Sequence, residues 1–349
     1  MVTEAAGADG SAPGAAASGT APAHEHPESA PLRIVYCGTP QFAVPTLEKL
    51  LASRHIVCGV ITQPDRPRGR GQKLQPGPVK LSALQHHVPV FQPERLRTPD
   101  VRHTLQSWAP DLGVVAAYGK LIPEDLLAVP RLGMINVHAS LLPKYRGAAP
   151  IQRAVIDGEA ETGVTIMRVI KALDAGGMLA KVHYPIGPDE TSDVIERKLS
   201  ELGASLLLDV VETLSHGPVA EERQDDTLAT YAARLTKAEG LIDWTLPAAG
   251  IHNRVRGLYP WPHAYTFIGN ERLIVLATRV EPRTGSEAAP GTIVSVSPDG
   301  IGVVTGHGGQ IVILQVQPEG RRAMSARDFL GGHPLSTGAS FGHGPHDIG

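Results

Sequence analysis

Leu32-Arg33-Ile34-Val35-Tyr36-Cys37-Gly38-Thr39-Pro40 is the stretch whose reading decides the fold. Its apolar run, halted by Gly38, Thr39 and Pro40, reads as a buried strand ending in a turn. Apolar positions at helical spacing follow over residues 42–51, and a second strand-like run covers 56–62. Strand, helix and strand in that order open a parallel sheet.

Working outward, the alternation persists. Strand-like runs at 88–91, 112–118, 134–139, 164–169 and 179–185 interleave with helical patterns at 101–108, 124–128 and 151–156. Ile195, Leu199, Leu202, Leu206, Val210 and Leu214 then step by three or four along one long amphipathic helix. The pattern predicts an α/β domain over residues 32–215, doubly wound around a mostly parallel Rossmann-like sheet. Residues 216–240 are polar and mixed in charge, as a linker is. From Leu273 onward, short β-rich runs separated by Gly, Pro and Asp clusters predict a smaller OB-like β-barrel domain over 241–332.

The ends have a different texture. Residues 1–31 are rich in Ala, Gly and Pro, carry Glu4, Asp9, Glu25 and Glu28, and have no arginine before Arg33. A transit peptide is basic and a secretory signal has a continuous apolar core, so this segment is expected to be a disordered tail on a cytoplasmic protein. Residues 333–349, rich in Gly and His, are expected to fray. No apolar run reaches the roughly 18 residues a membrane helix needs. Cys37 and Cys58 lie in strand-like runs far from any zinc spacing and are expected to be reduced core thiols. With 349 residues and 42% hydrophobic content the chain has room for two cores, and its formal net charge of -3 rules out a basic field over the whole protein. Contact with a polyanion must come from a local patch.

The densest chemistry lies at Asn136-Val137-His138-Ala139-Ser140-Leu141-Leu142-Pro143. Side chains alternate along a strand, so Asn136 and His138 share a face near the C-terminal end of the run, where open α/β sheets build their sites. An amide donor beside an imidazole suits a developing oxyanion; a strand-end Asn and His capping a turn is the plainer alternative. Asp174 follows the next predicted strand in a Gly-rich loop, Ala172 to Gly177, expected at the same sheet edge. There it would orient the histidine and favour its positive charge, where a solvated turn aspartate is the plainer alternative. The apolar, proline-stiffened loop after His138, with Ser140, Leu141, Leu142 and Pro143, suits the wall of a flat heteroaromatic ligand.

A second feature lies over residues 62–80. Arg66, Arg68, Arg70, Lys73 and Lys80 stand against Asp65 alone, a local charge of +4. Gly69, Gly71 and Gly77 loosen this loop, and Pro64, Pro67, Pro76 and Pro78 are expected to keep it from forming helix. A mobile cationic loop can follow phosphates, or it can be merely a solvated surface loop.

The segment 133–174 resembles the family of hydrolases and transferases that use 10-formyltetrahydrofolate. The likeness extends to Tyr36-Cys37-Gly38-Thr39-Pro40, to Thr62 through Pro67, to Asn136 through Gln152, to Glu161 through Met167, to Ile242-Asp243-Trp244 and to Pro260-Trp261-Pro262, and so spans about residues 32–330. It implies a catalytic set of Asn136, His138 and Asp174, folate bound by Ser140 to Pro143, and formyl transfer to the amine of methionyl initiator tRNA. It also implies tRNA contacts at Arg66, Arg68, Arg70, Lys73 and Lys237, with Arg70 helping to select the initiator. No metal, nucleotide cofactor or membrane partner is expected, and a monomer is. The N-terminal extension, the Gly- and His-rich end, which lacks a basic tail, and Arg68, where a small residue is more usual, depart from the family pattern. Three other classes compete. A transferase acting on a small amine would lack the cationic loop and the second domain. A dinucleotide dehydrogenase would need a Gly-rich fingerprint that Gly38-Thr39-Pro40 does not provide. A non-catalytic tRNA-binding protein would have no use for the three polar residues.

Overall fold

The protein was analysed as a computed structural model, in which residues 30–68, 73–282 and 287–342 are described. Strand β1 (Arg33–Gly38) is buried at five of its six positions and leads to helix α1 (Val44–Leu51), which tolerates Pro45 in its first turn because that N–H has no intrahelical partner. Then come β2 (Ile56–Ile61), β3 (Arg66–Arg68), β4 (Lys73–Gln75), α2 (Pro78–Gln85), β5 (Val90–Phe91), α3 (Pro99–Ser107), β6 (Leu112–Ala116) and α4 (Glu124–Leu127). β7 (Met134–His138), β8 (Arg146–Gly147), α5 (Pro150–Ile156), β9 (Glu161–Arg168), β10 (Met178–Pro185) and α6 (Ser192–His216) complete the first half.

Seven strands form one sheet in the order β10-β9-β7-β6-β1-β2-β5. The pairs β1–β2, β1–β6, β2–β5 and β6–β7 are parallel, whereas β9 runs antiparallel to both β7 and β10. Period-two alternation sorts the side chains: Ile34, Tyr36, Ile135 and Val137 join the core beneath α1 and α6, while Val35, Cys37, Val115 and Met134 join the core on the opposite face with Val101 and Leu105 of α3. Both cysteines are free, and Cys37 is buried, as the sequence implies.

The reversed direction of β9 changes where the chain goes next. Arg168 lies opposite Ile135 and Thr165 opposite His138, so β9 ends beside the beginning of β7. The expectation that Asp174 leaves a strand at the same edge as His138 is therefore incorrect. Hydrophobic runs show that a strand exists but not its direction, since both directions bury the same side chains.

The cationic loop also differs from expectation. β3 and β4 pair antiparallel as a small ribbon, and α2 begins at Pro78, one of the prolines read as opposing helix. Proline in a first helical turn is compatible with the helix. The ribbon's base is pinned: Asp65 accepts from Lys80 at 2.6 Å and from Gln92 at 2.8 Å, and Gln92 also donates to the Gln63 carbonyl at 2.9 Å. The hydrogen bond from Lys80 holds the Asp65 carboxyl below its ordinary range.

The second half carries β11 (Tyr231–Ala232), α7 (Ala248–Gly257), β12 (Ala264–Ile268), β13 (Glu271–Glu281), β14 (Ile293–Ser297), β15 (Gly300–Thr305), β16 (Gly309–Pro318), β17 (Met324–Ser325) and α8 (Ala326–Gly332). Its antiparallel sheet has the order β12-β13-β16-β15-β14, with β17 on β16, consistent with an OB-like domain. Residues 338–342, within the stretch expected to fray, instead join the two edges of that sheet. Ile293 N donates to the Ala339 carbonyl at 2.8 Å, and Phe267 and Gly342 exchange backbone hydrogen bonds at 3.2 and 3.0 Å. Phe341 is buried and stacks on Trp244 with ring centroids 5.5 Å apart. Edge pairing plus one aromatic anchor orders a segment whose composition suggests none. No helix among the described residues is long and apolar enough to cross a membrane.

A clasp joins the short helical turn Lys237–Gly240 to α5. Glu239 accepts from Arg153 Nη1 at 2.5 Å and Nη2 at 3.2 Å. The hydrogen bond from Arg153 holds the Glu239 carboxyl below its ordinary range. A lowered folded-state pKa stabilises the fold above the unfolded-state value, and that contribution disappears as pH falls through the folded-state value. The Tm advantage of the wild type over Glu239→Gln should therefore be present at pH 7, begin to shrink at about pH 4, the ordinary glutamate range, and vanish only at lower pH still. Melting curves across pH 3–8 would check this, and a constant gap would exclude the clasp as its source.

Candidate active site

β7 carries the first two polar residues to the end of the parallel strands. Asn136 and His138 share the face of Met134 and point away from the core packed around Ile135 and Val137. His138 is 6 % exposed. Its Nε2 lies 2.9 Å from the carbonyl oxygen of Tyr145, which can only accept, so Nε2 carries a proton and Nδ1 is left for chemistry. Nδ1 faces Asp174 Oδ2 at 3.8 Å, within ion-pair reach but beyond a direct hydrogen bond. The Asn136 carboxamide is half-buried and makes no hydrogen bond among the described residues, leaving both of its N–H donors for a ligand.

Asp174 reaches His138 because the β9–β10 connection folds back across the sheet. Its backbone is left-handed, with φ 48°, and its Oδ2 accepts from Gly147 N at 2.8 Å. Gly147 has φ 119° and a Cβ there would meet the Ala232 carbonyl oxygen at 2.9 Å, so glycine is required to aim this N–H at the carboxylate. Gly176 is constrained by space alone, since a Cβ would stand 1.9 Å from the Arg168 carbonyl oxygen.

The loop after His138 is anchored to β9. Thr165 Oγ1 donates to the Ser140 carbonyl at 2.7 Å and accepts from Leu142 N at 3.1 Å. Ser140 is fully buried, with Oγ donating to the Lys144 carbonyl at 2.7 Å, and Leu142 packs against Met167 and Met178. The side chains of Ser140 and Leu142 thus face the protein, and only Leu141 and Pro143 of this quartet are partly exposed. Any contact of Ser140 or Leu142 with a ligand would come from backbone. Exposed Leu121, Ile170 and Leu173 stand on the connections that follow β6 and β9, apolar surface of the kind a flat ring covers.

Sequence reasoning missed Tyr145 and Gly147, whose contribution comes from backbone groups. Tyr145 has φ 60°; its N–H donates to Thr230 Oγ1 at 2.8 Å and its hydroxyl to Asp157 and Glu159, each at 3.0 Å. Burial, together with those two carboxylate partners, pushes the Tyr145 hydroxyl far above its ordinary range, so it stays protonated. A residue held by its backbone N–H and by its hydroxyl fixes the carbonyl that sets the imidazole tautomer, which no residue pattern announces.

Of the cationic residues, Arg66 and Lys237 are exposed, on β3 and on the turn Lys237–Gly240. The structure describes only the backbone of Arg68 and Lys73, and Arg70 lies outside the described residues. Lys80 pairs with Asp65, so the loop's excess charge rests on Arg66, Arg68, Arg70 and Lys73.

A formyl transferase family model matches residues 32–211, and one for the formyl transferase C-terminal domain matches residues 234–334. The methionyl-tRNA formyltransferase of Geotalea daltonii is 46% identical over 312 residues, covering 89% of this chain and 99% of that protein. The protein of the same name from Trichlorobacter lovleyi is 46% identical over 316 residues, covering 90% and 98%. Among solved structures, the sugar 3N-formyl transferase WlaRD, determined with dTDP and 5-N-formyl-THF, superposes with a TM-score of 0.63 at 17% identity over 83% of this chain and 99% of its own. HypX of Aquifex aeolicus superposes with a TM-score of 0.59 at 15% identity, over 86% of this chain and 49% of that one. At these identities the two structures show a shared fold.

Proposed function

The chain belongs to the formyl transferase family, and from that membership we propose that it transfers a formyl group from 10-formyltetrahydrofolate to the α-amino group of methionyl initiator tRNA. The observation that carries the reading is the approach of His138 Nδ1 to the Asp174 carboxylate, 3.8 Å, on the strand face that also carries the free carboxamide of Asn136. Both family models match in order along the chain, and the relatives are matched over nearly their whole length.

The folate co-substrate supplies an activated one-carbon acyl unit, and the amine must be neutral to attack it. The uncommitted N–H groups of Asn136 suit the formyl oxygen, where negative charge builds. His138 holds its Nε2 proton on the Tyr145 carbonyl, so any proton it gives or receives moves through Nδ1. Asp174 stabilises positive charge on that ring, and a water bridging the 3.8 Å pair from the side can carry a proton between them. The partly exposed Leu141 and Pro143, with exposed Ile170 and Leu173, are the surfaces assigned to the pterin. One chain supplies the whole set, so a monomer suffices, and the substrate puts the reaction in the cytoplasm.

The test is to incubate the protein with formyl-folate and charged initiator tRNA, elongator tRNA or small amines. Formylation confined to the initiator is expected; transfer to a small amine alone would overturn the reading. Arg66, Arg68, Arg70, Lys73 and Lys237 are assigned to tRNA phosphates. Replacing Arg66, Arg68, Arg70 and Lys73 together by alanine should raise the KM for tRNA. It should also flatten the slope of log KM against log salt by about 3, the sum of four phosphate contacts at roughly 0.7–0.9 each. An unchanged slope would remove the ribbon from the interface.

A further inference from the structure

The segment joining the two halves, read from the sequence as a linker, touches the reacting site in two places. Tyr231 and Ala232 pair with Arg146 and Gly147, beside the carbonyl that holds His138. Gln224 lies on the other side. Buried at 5 % exposure, it donates from Nε2 to the carbonyl oxygens of Asp174 at 2.9 Å and Gly176 at 2.8 Å. Its Oε1 accepts from Arg146 Nε at 3.0 Å and Nη2 at 2.7 Å. Arg146, 4 % exposed, reaches Asp226 Oδ1 with Nη2 at 2.8 Å.

We propose that Gln224 and Arg146 are positioning residues for formyl transfer, acting through Asp174. This rests on the catalytic reading of Asp174 given above. Aspartate adopts a left-handed backbone only when its surroundings hold it there. Here Gln224 ties down the carbonyls of Asp174 and Gly176, while Gly147 N holds the carboxylate itself. Arg146 orients the Gln224 amide: a guanidinium only donates, so it pairs with the oxygen side of that group alone and directs the NH2 towards the loop. The Gly147 N–H that holds Asp174 belongs to the residue following Arg146, so one strand pair sets both the carboxylate and its support. A buried guanidinium is costly unless satisfied. A fold needing only stability would fill this place with apolar side chains at less risk.

Gln224→Glu separates positioning from simple support. A carboxylate still accepts from Arg146 but has no hydrogen for the two loop carbonyls. The variant should stay folded with a lower Tm, since two carbonyls lose their donor, and lose roughly 10- to 100-fold in kcat, the range expected when a reacting group shifts by about 1 Å. KM for folate and for tRNA should stay within about threefold. Arg146→Lys, which keeps the charge beside Asp226 but loses the fork on Gln224, should show the same split more weakly. The decisive measurement is single-turnover formylation in an Asp174→Ala background. Acting through Asp174, Gln224→Glu should there cost no more than about twofold further. A full multiplicative loss with Asp174→Ala already impaired would overturn the proposal alone. Wild-type turnover in Asp174→Ala would instead overturn the catalytic reading, and the proposal with it.

Discussion

His138→Ala is expected to lower kcat by roughly three orders of magnitude with the fold intact, and Asn136→Ala by about two to three. General acid-base work by a placed histidine typically contributes about 10²- to 10⁴-fold, and one oxyanion donor about 10²- to 10³-fold, near 3 kcal/mol. The two losses arise differently. Asn136 offers N–H groups that no described neighbour uses, so its removal leaves no partner stranded and should leave Tm close to that of the wild type. His138 is nearly enclosed and spends Nε2 on the Tyr145 carbonyl, so its removal also frees a loop with φ 60° at Tyr145. His138→Asn would restore a donor at that position and should recover any loss of Tm but not turnover, because nothing replaces Nδ1. Rapid-quench measurement of formyl transfer with saturating tRNA would read the chemical step. Turnover within a few-fold of the wild type in either alanine variant would end the assignment.

The second large effect is expected at a residue that touches no substrate. Gly176→Ala would place a Cβ 1.9 Å from the Arg168 carbonyl oxygen and 2.8 Å from its carbon, distances no real Cβ occupies. The obstacle is backbone in β9, so the loop must yield, and Asp174 lies two residues away on it. A displacement of about 1 Å in a positioned group can cost about 10²-fold, and kcat/KM should fall by about that much. tRNA binding should be retained, because none of the cations assigned to tRNA lies on the β9–β10 connection. Gly331→Ala is the control. It lies in α8 (Ala326–Gly332) with nothing within 4 Å of its would-be Cβ, and should keep full activity with a slightly higher Tm. Full activity in Gly176→Ala would mean that the geometry of the Asp174 loop does not limit the reaction.

Much of the architecture was legible because it rests on local regularities. Runs such as 32–37 and the stepping of Ile195, Leu199, Val210 and Leu214 report which side faces a core, and the structure buries those apolar side chains accordingly. The helix α7 was not expected, because Ala, Gly, Asn, Arg and His leave it without a clean apolar stripe, and the five-residue strand β12 was not expected either. The ribbon of β3 and β4 was read as an irregular loop because two three-residue strands are too short for a period to show. Residues 338–342 look like frayed chain by composition, and only the unpaired edges of β12 and β14 give them partners.

The sequence by itself determined the α/β class, the existence of a second β-rich half, and which three polar residues deserved attention. Asn136 and His138 share a face simply because they are two apart on a strand, a relation that backbone geometry guarantees. Tertiary structure alone decided how Asp174 joins them. β9 runs against its neighbour β7, so the carboxylate arrives by a loop folded over the sheet, held by Gly147 and Gln224 from distant parts of the chain. Strand direction and the partners of a buried amide depend on contacts far apart in sequence, and those exist only once the core has brought the segments together.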